Sequence, residues 1–145
     1  MKLLYVPFIL QAFIMFIDEE FHKKRTLGAW ERLGHPLDTL TVMLPLLFSV
    51  FNPFSDSSSY TYISLAVFSC LFITKDEFIH AKVCSPGEHW LHALLFILHP
   101  LVFLATFISW SESETIHFLI IQSALTFLFF TYQIFRWSIP WTLLK

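Results

Sequence analysis

The sequence predicts an all-α integral membrane protein, a helical bundle of five transmembrane helices in which two helical hairpins repeat. Three observations carry this expectation. Of 145 residues, 56% are hydrophobic and only 14% charged, with a mean hydropathy of +0.64; soluble domains are about 25% charged. The apolar residues gather into five stretches near the roughly 20 residues that cross the hydrocarbon. The acids and histidines recur at the ends of those stretches with matched spacing. So much apolar surface excludes disorder. Nine Lys and Arg against eleven Asp and Glu leave no basic excess, so no nucleic-acid partner is expected. Residues 1–145 are read as one transmembrane domain: repeat unit one over about 1–58, unit two over about 59–115, and an additional helix over about 116–145.

The first span is placed at about Leu3–Phe21. It ends in Asp18-Glu19-Glu20-Phe21-His22-Lys23-Lys24-Arg25, without the small residues of a signal cleavage site, so a retained anchor is expected. The second span, about Pro36–Phe51, is short and carries Pro45. The third is about Tyr60–Phe78, the fourth about Trp90–Trp110 and the fifth about Ile116–Phe135. Pro7, Pro45 and Pro100 fall within spans, where neighbouring helices satisfy freed carbonyls. The fifth span is expected to pack outside the four-helix bundle.

Eight of the nine basic residues fall on one side of this layout: Lys23, Lys24, Arg25, Arg32, Lys75, Lys82, Arg136 and Lys145. Basic loops stay in the cytoplasm, so the N-terminus is expected outside and the C-terminus inside, in the cytoplasmic membrane of a bacterium. Trp30, Trp90, Trp137 and Trp141 then mark the inner interface and Trp110 the outer. His117, Glu112 and Glu114 belong to the outer loop side. Cys70, within a span, and Cys84, in a loop, are expected as free thiols. Gly28, Gly34 and Gly87 are expected to permit tight turns.

The informative feature is a repeat built from metal-ligating residue types. Asp18-Glu19-Glu20-Phe21-His22 closes the first span and Asp76-Glu77-Phe78-Ile79-His80 the third; both read Asp-Glu-x-x-His. Glu31-Arg32-Leu33-Gly34-His35 precedes the second span and Glu88-His89-Trp90-Leu91-His92 opens the fourth; both read Glu-x-x-x-His. The copies are offset by 58 and 57 residues. Residues three or four apart share a helix face, so four Glu and four His are expected at one height, unless Pro36 starts the second helix and leaves Glu31 and His35 in a turn. Carboxylate oxygen with imidazole nitrogen suits iron, manganese or zinc, and eight ligands suit two ions. The expected ligands are Glu19, His22, Glu31, His35, Glu77, His80, Glu88 and His92. Asp18, Asp38 and Asp76 are expected to orient them. Gln11 and His99 lie deeper and are candidates for a substrate or proton path. His89 points elsewhere on its helix and is read as interfacial. Salt-bridged surface charge would explain the polarity of these segments but not their repeated spacing.

The pattern resembles the di-metal carboxylate helix bundles, which use a Glu from each of two helices and Glu-x-x-His from each of two others. Glu19–His22 and Glu77–His80 match the paired motifs; Glu31 and Glu88 match the single glutamates. Here each Glu-x-x-His precedes its single Glu, and His35 and His92 are additional. The resemblance covers four short segments. It implies two metal ions, iron foremost with zinc or manganese as alternatives, and an oxidoreductase acting on a lipid, quinone or other apolar substrate at the cytoplasmic face. A di-zinc lipid hydrolase and a non-catalytic metal-binding subunit, sensor or carrier are the competing expectations. Membrane lipids are the expected surroundings; the sequence sets no oligomeric state.

Overall fold

The computed structural model describes residues 2–24, 27–112 and 116–139. Arg25, Glu114, Trp141 and Lys145, used above to assign sides, lie outside the described residues. The described chain is all-helical. A 3-10 turn, Lys2–Tyr5, leads into α1 (Val6–Lys23). It is followed by α2 (Ala29–Phe51), α3 (Asp56–Phe72), a second 3-10 turn (Ile73–Asp76), the short α4 (Glu77–Val83), α5 (Pro86–Ser111) and α6 (Ile116–Gln133). A π turn, Ile134–Ser138, continues α6.

Three helical segments are long and apolar enough to cross a membrane: Ala29–Phe51, Pro86–Ser111 and Ile116–Ser138. The other two expected spans fall short for separate reasons. α1 carries Asp18, Glu19, Glu20 and Lys23 in its last two turns. α3 has 17 residues, about 25 Å at 1.5 Å per residue against a ~30 Å hydrocarbon core. The single helix expected over Tyr60–Phe78 is interrupted at Ile73–Asp76. Two β-branched residues, Ile73 and Thr74, sit there, and the 3-10 winding changes the phase of all that follows.

Capping decides where the helices begin. α2 starts at Ala29, not at Pro36: the Glu31 carboxylate accepts a hydrogen bond from the Gly28 backbone N–H at 3.0 Å and closes the first turn. Pro36 is therefore inside the helix, and Glu31 and His35 are one turn apart on it. α5 starts the same way. The Ser85 hydroxyl accepts from the Glu88 N–H, and the Glu88 carboxylate accepts from the Ser85 N–H, both at 3.4 Å, with Pro86 in the first turn. This is a capping box. Gly34 lies within α2 and not in a turn; a Cβ there would stand 3.2 Å from Asp76 Oδ1, so its lack of a side chain admits that carboxylate against the helix.

α1 packs along α5, and α2 packs between α3 and α6. Two apolar clusters fill the end of the bundle away from the histidines. Tyr62, Ala66, Phe103, Trp110 and Leu119 form one; Phe8, Leu46, Val102 and Ala105 form the other. Trp110 is buried here, its indole N–H donating to the Asn52 carbonyl at 2.8 Å, so it belongs to the core and not to an outer aromatic belt. Ser49, Ser69, Thr106 and Ser109 are buried where helices meet, small residues that let backbones approach. Large side chains such as Ile9, Phe13, Val67, Leu104 and Leu128 are exposed along the helices, a surface suited to lipid.

The Ser85 cap gives a first test. Ser85→Ala is expected to lower stability by about 1 kcal/mol, the typical value of such a cap, read as a lower unfolding midpoint in detergent. An unchanged midpoint would show that the box does not fix the start of α5.

Candidate metal centre

Four imidazoles meet at one end of the bundle. His22 comes from the last turn of α1, His35 from the second turn of α2, His80 from α4 and His92 from the second turn of α5. Their ring centroids form a closed circuit: His22 to His35 4.5 Å, His35 to His80 6.1 Å, His80 to His92 4.2 Å, and His92 to His22 6.2 Å. His22, His80 and His92 are buried. Burial, with the His92 ring beside it, pushes the His80 imidazole down to about 4, so it is neutral at pH 7, the form that binds metal.

Carboxylates interleave with these rings. His22 Nδ1 is 3.3 Å from Asp18 Oδ2, one turn back on α1. His22 Nε2 is 3.7 Å from Glu88 Oε1, and His80 Nε2 is 3.7 Å from Glu31 Oε1. His92 Nε2 is 3.1 Å from Asp18 Oδ1. Thus the glutamate of each Glu-x-x-x-His segment faces the histidine of the other Asp-Glu-x-x-His segment, while its second oxygen accepts from its own helix cap. The cap and the site are made by the same two side chains.

Among the described residues, donor atoms converge into groups able to hold a cation: Asp18, His22, Glu88 and His92, which overlaps with His22, His80 and His92, and a separate group of His35, Asp38 and Asp76. One ring nitrogen on each of the four histidines is buried and lacks a hydrogen-bond partner among the described residues: Nε2 of His22, His35 and His80, and Nδ1 of His92. Asp76 Oδ1 is in the same state. Leaving buried polar atoms unsatisfied costs about 1–3 kcal/mol each. Five in one cluster fit a set of metal donors.

Two expected ligands are placed elsewhere. Glu19 accepts hydrogen bonds from the Tyr132 hydroxyl at 2.6 Å and the Trp137 indole N–H at 3.3 Å. Glu77 is half-exposed beside His89, at 3.9 Å. Adjacent residues project about 100° apart on a helix, so Asp18 and Glu19 do not both face the imidazoles. On α1 the inward residue is the aspartate. Asp18 and Asp76, expected to orient ligands with direct ligation left open, are grouped with the histidines. Asp38 also joins them. Lys75 Nζ reaches Asp38 Oδ1 at 2.5 Å and Asp76 Oδ2 at 3.0 Å. The sequence assigns Lys75 only to a side of the membrane; its counterpart 58 residues earlier is Ile17, and that departure from the repeat is the available signal. Trp137 is expected only as an interface marker, and Tyr132, within the fifth span, has no expected role.

A cavity of about 530 Å³ opens from this cluster into the bundle. His22, His35, His80 and His92 line its polar end; Phe8, Met15, Leu95 and Val102 line its apolar part. Gln11 and His99 both border it. The Gln11 Oε1 is buried without a partner among the described residues. His99 Nε2 lies 3.0 Å from the Ser69 hydroxyl, which lies 3.0 Å from the Thr41 hydroxyl. α6, expected outside the four-helix bundle, supplies Gln122, Leu125, Thr126, Phe129, Tyr132 and Gln133 to the cavity wall, and Gln133 accepts from the Thr39 hydroxyl at 2.6 Å.

No protein-family model matches the chain, and no curated protein or solved structure is significantly similar to it.

Lys75 yields the next test. In metal-free protein, Lys75→Met removes the cation that Asp38 and Asp76 share. The expected loss is on the order of 2 kcal/mol, between exposed and fully buried pairs. Added divalent metal should restore more stability to the variant than it adds to the parent, because the ion no longer displaces an ammonium. Equal metal-induced shifts in melting temperature would refute this.

Proposed function

We propose that the chain is a membrane-embedded di-metal oxidoreductase, iron being the favoured metal, that acts on an apolar substrate admitted to the cavity beside the cluster. The single observation that carries the reading is the set of four clustered histidines, each with a buried ring nitrogen lacking a hydrogen-bond partner among the described residues, at the polar end of a largely apolar cavity. Asp18, His22, Glu88 and His92 would hold one ion; His35 and Asp76, with His80 and Glu31 beside them and Asp38 near, would hold the second. Charge supports bound cations: five carboxyl groups, Asp18, Glu31, Asp38, Asp76 and Glu88, gather around the rings, and the Lys75 ammonium is shared by Asp38 and Asp76. Iron in such a nitrogen and carboxylate set supplies redox chemistry tuned by its ligands and their partners.

The protein's own residues have definable tasks in this reading. The capping boxes hold Glu31 and Glu88 at fixed depth. Asp18 sets the orientation of the His22 and His92 rings. The apolar wall excludes water from the substrate. The nitrogen-rich donor set favours a second reading, a di-zinc lipid hydrolase, since four histidines exceed the two of the carboxylate bundles. In both readings the chain spans the bilayer five times as two duplicated hairpins plus α6. Support comes from the sequence repeat and from the matched pairs His22–Glu88 and His80–Glu31, each at 3.7 Å. We take the cluster end as cytoplasmic, from Lys23, Lys75, Lys82 and Arg136.

Metal analysis of protein purified in detergent without added metal tests the reading. About two irons per chain with a di-iron spectroscopic signature are expected. Asp18→Ala and His92→Ala should each lose most of the metal, whereas Glu77→Gln should retain it. Zinc alone would select the hydrolase. Metal content unchanged in His22→Ala and His80→Ala would overturn the centre.

A further inference from the structure

α1 and α6 border the cavity on opposite sides but are not packed along one another. They meet near their two ends. At the end away from the cluster, Phe118 packs edge-on against Tyr5 at 4.4 Å and Phe8 at 4.9 Å. At the cluster end, Glu19 receives Tyr132 and Trp137. Between these clasps Ala12 and Phe16 of α1 and Leu125 of α6 line the cavity and are exposed on the flank of the bundle. Its back wall is buried: Phe8, Val102 and His99 are each 4% exposed or less. The cavity therefore has a side mouth, facing the direction in which lipid surrounds a membrane helix.

The mouth has a defined height. Phe8 to Glu19 is eleven residues of α1, about 16 Å at 1.5 Å per residue. A hydrocarbon core of ~30 Å is two leaflets thick, so one lipid tail covers about 15 Å. The polar clasp lies at the end where Tyr and Trp settle at headgroup depth. Glu19, Lys23 and Tyr132 border the cavity there, and Asp18 and His22 belong to the same last turns of α1.

We propose that the cavity is a lateral acyl-chain site. One hydrocarbon tail of a membrane lipid enters from a single leaflet between α1 and α6. Its headgroup stays at the Glu19–Tyr132 clasp, and the polar end of the chain (the ester or carboxyl and the carbons beside it) lies against the histidine cluster. The chemical consequence rests on the metal reading above; the binding of the chain does not. An isoprenoid tail longer than one leaflet would overrun the Phe8–Phe118 contact, so the site favours acyl lipid over quinone. Glu19 gains a role in this arrangement as the polar latch of the mouth.

The test is photolabelling of the full chain in lipid nanodiscs with a fatty acid carrying a mid-chain diazirine, with labelled residues mapped by mass spectrometry. Labels are expected on cavity residues Met15, Phe16, Leu125 and Phe129. Ala12→Trp and, from the other wall, Leu125→Trp should each abolish cavity labels while leaving labels on the outer residues Ile9, Phe13 and Leu128. A variant is scored only if it is monodisperse and retains the parent's metal content. Labels confined to the outer residues, or insensitive to both tryptophans, would overturn the site, as would stronger competition by long-chain quinone than by unlabelled fatty acid. His22→Ala/His92→Ala separates the two readings. Persistent cavity labelling in this variant leaves the acyl site standing if the metal reading fails; bound metal in the parent chain without cavity labelling leaves the metal reading standing and overturns the acyl site.

Discussion

Everything at the histidine end of this bundle depends on one constraint: four imidazoles and their carboxylates are packed together with their facing ring nitrogens buried, and hydrogen bonds within the cluster do not satisfy them all. Buried neutral polar atoms are tolerated when partnered. Here ring nitrogens of His22, His35, His80 and His92 point at one another's surroundings, with rings as close as 4.2 Å. Protonating them all would bring positive charges together; leaving them neutral strands their lone pairs. A cation among the rings resolves both conditions, because it accepts lone pairs and neutralises Asp18, Glu31, Asp76 and Glu88 at once. An apolar repacking would be more stable as a scaffold. Retaining so polar a cluster in so apolar a chain is the physical argument for a function located there.

The scaffold holds the cluster through its helix starts. Glu31 and Glu88 use one oxygen to cap α2 and α5 and direct the other toward a histidine from the opposite half of the chain. Loop geometry, helix phase and site geometry are thereby one problem with one solution. Gly34 joins it by leaving room for the Asp76 carboxylate. Lys75 breaks the internal likeness: where the first half has Ile17, the second places an ammonium between two site carboxylates. The two candidate donor groups are consequently unequal, one made by Asp18, His22, Glu88 and His92, the other sharing its acids with a lysine.

The sequence showed the helical class, the apolar segments and the histidines, because hydropathy and residue type are local properties. It also showed that Glu31 and Glu88 belong with those histidines. What it did not show depends on helix phase and tertiary partners. Asp18 and Glu19 are adjacent, and only the position of α6 decides which faces inward; Tyr132 and Trp137 take Glu19 and leave Asp18 to the rings. The break at Ile73–Asp76 rotates Glu77 toward solvent and His89, a change that spacing arithmetic over a continuous helix misses. Pro36 could start a helix because a proline often does, yet the Gly28 cap, closed by Glu31, lies eight residues upstream of it and overrides that preference.

The position of α6 also changes what the sequence repeat implies. Four helices alone would carry the cluster, but the cavity beside it would lack a wall. α6 packs along α2 and reaches α1 through Phe118 at one end and Tyr132 and Trp137 at the other. A helix held at both ends and loose between them makes a slot, not a seal. Were α6 present only to cover lipid-facing surface, it would gain most by packing along α1 and burying Phe16 and Leu125. Both remain exposed. The interaction that closes the polar end consumes Glu19, an acid that would otherwise be available to a metal. The same carboxylate that the histidine cluster forgoes therefore holds α1 to α6 at the polar end of the cavity, so the proposed mouth and the proposed ligand set share one residue.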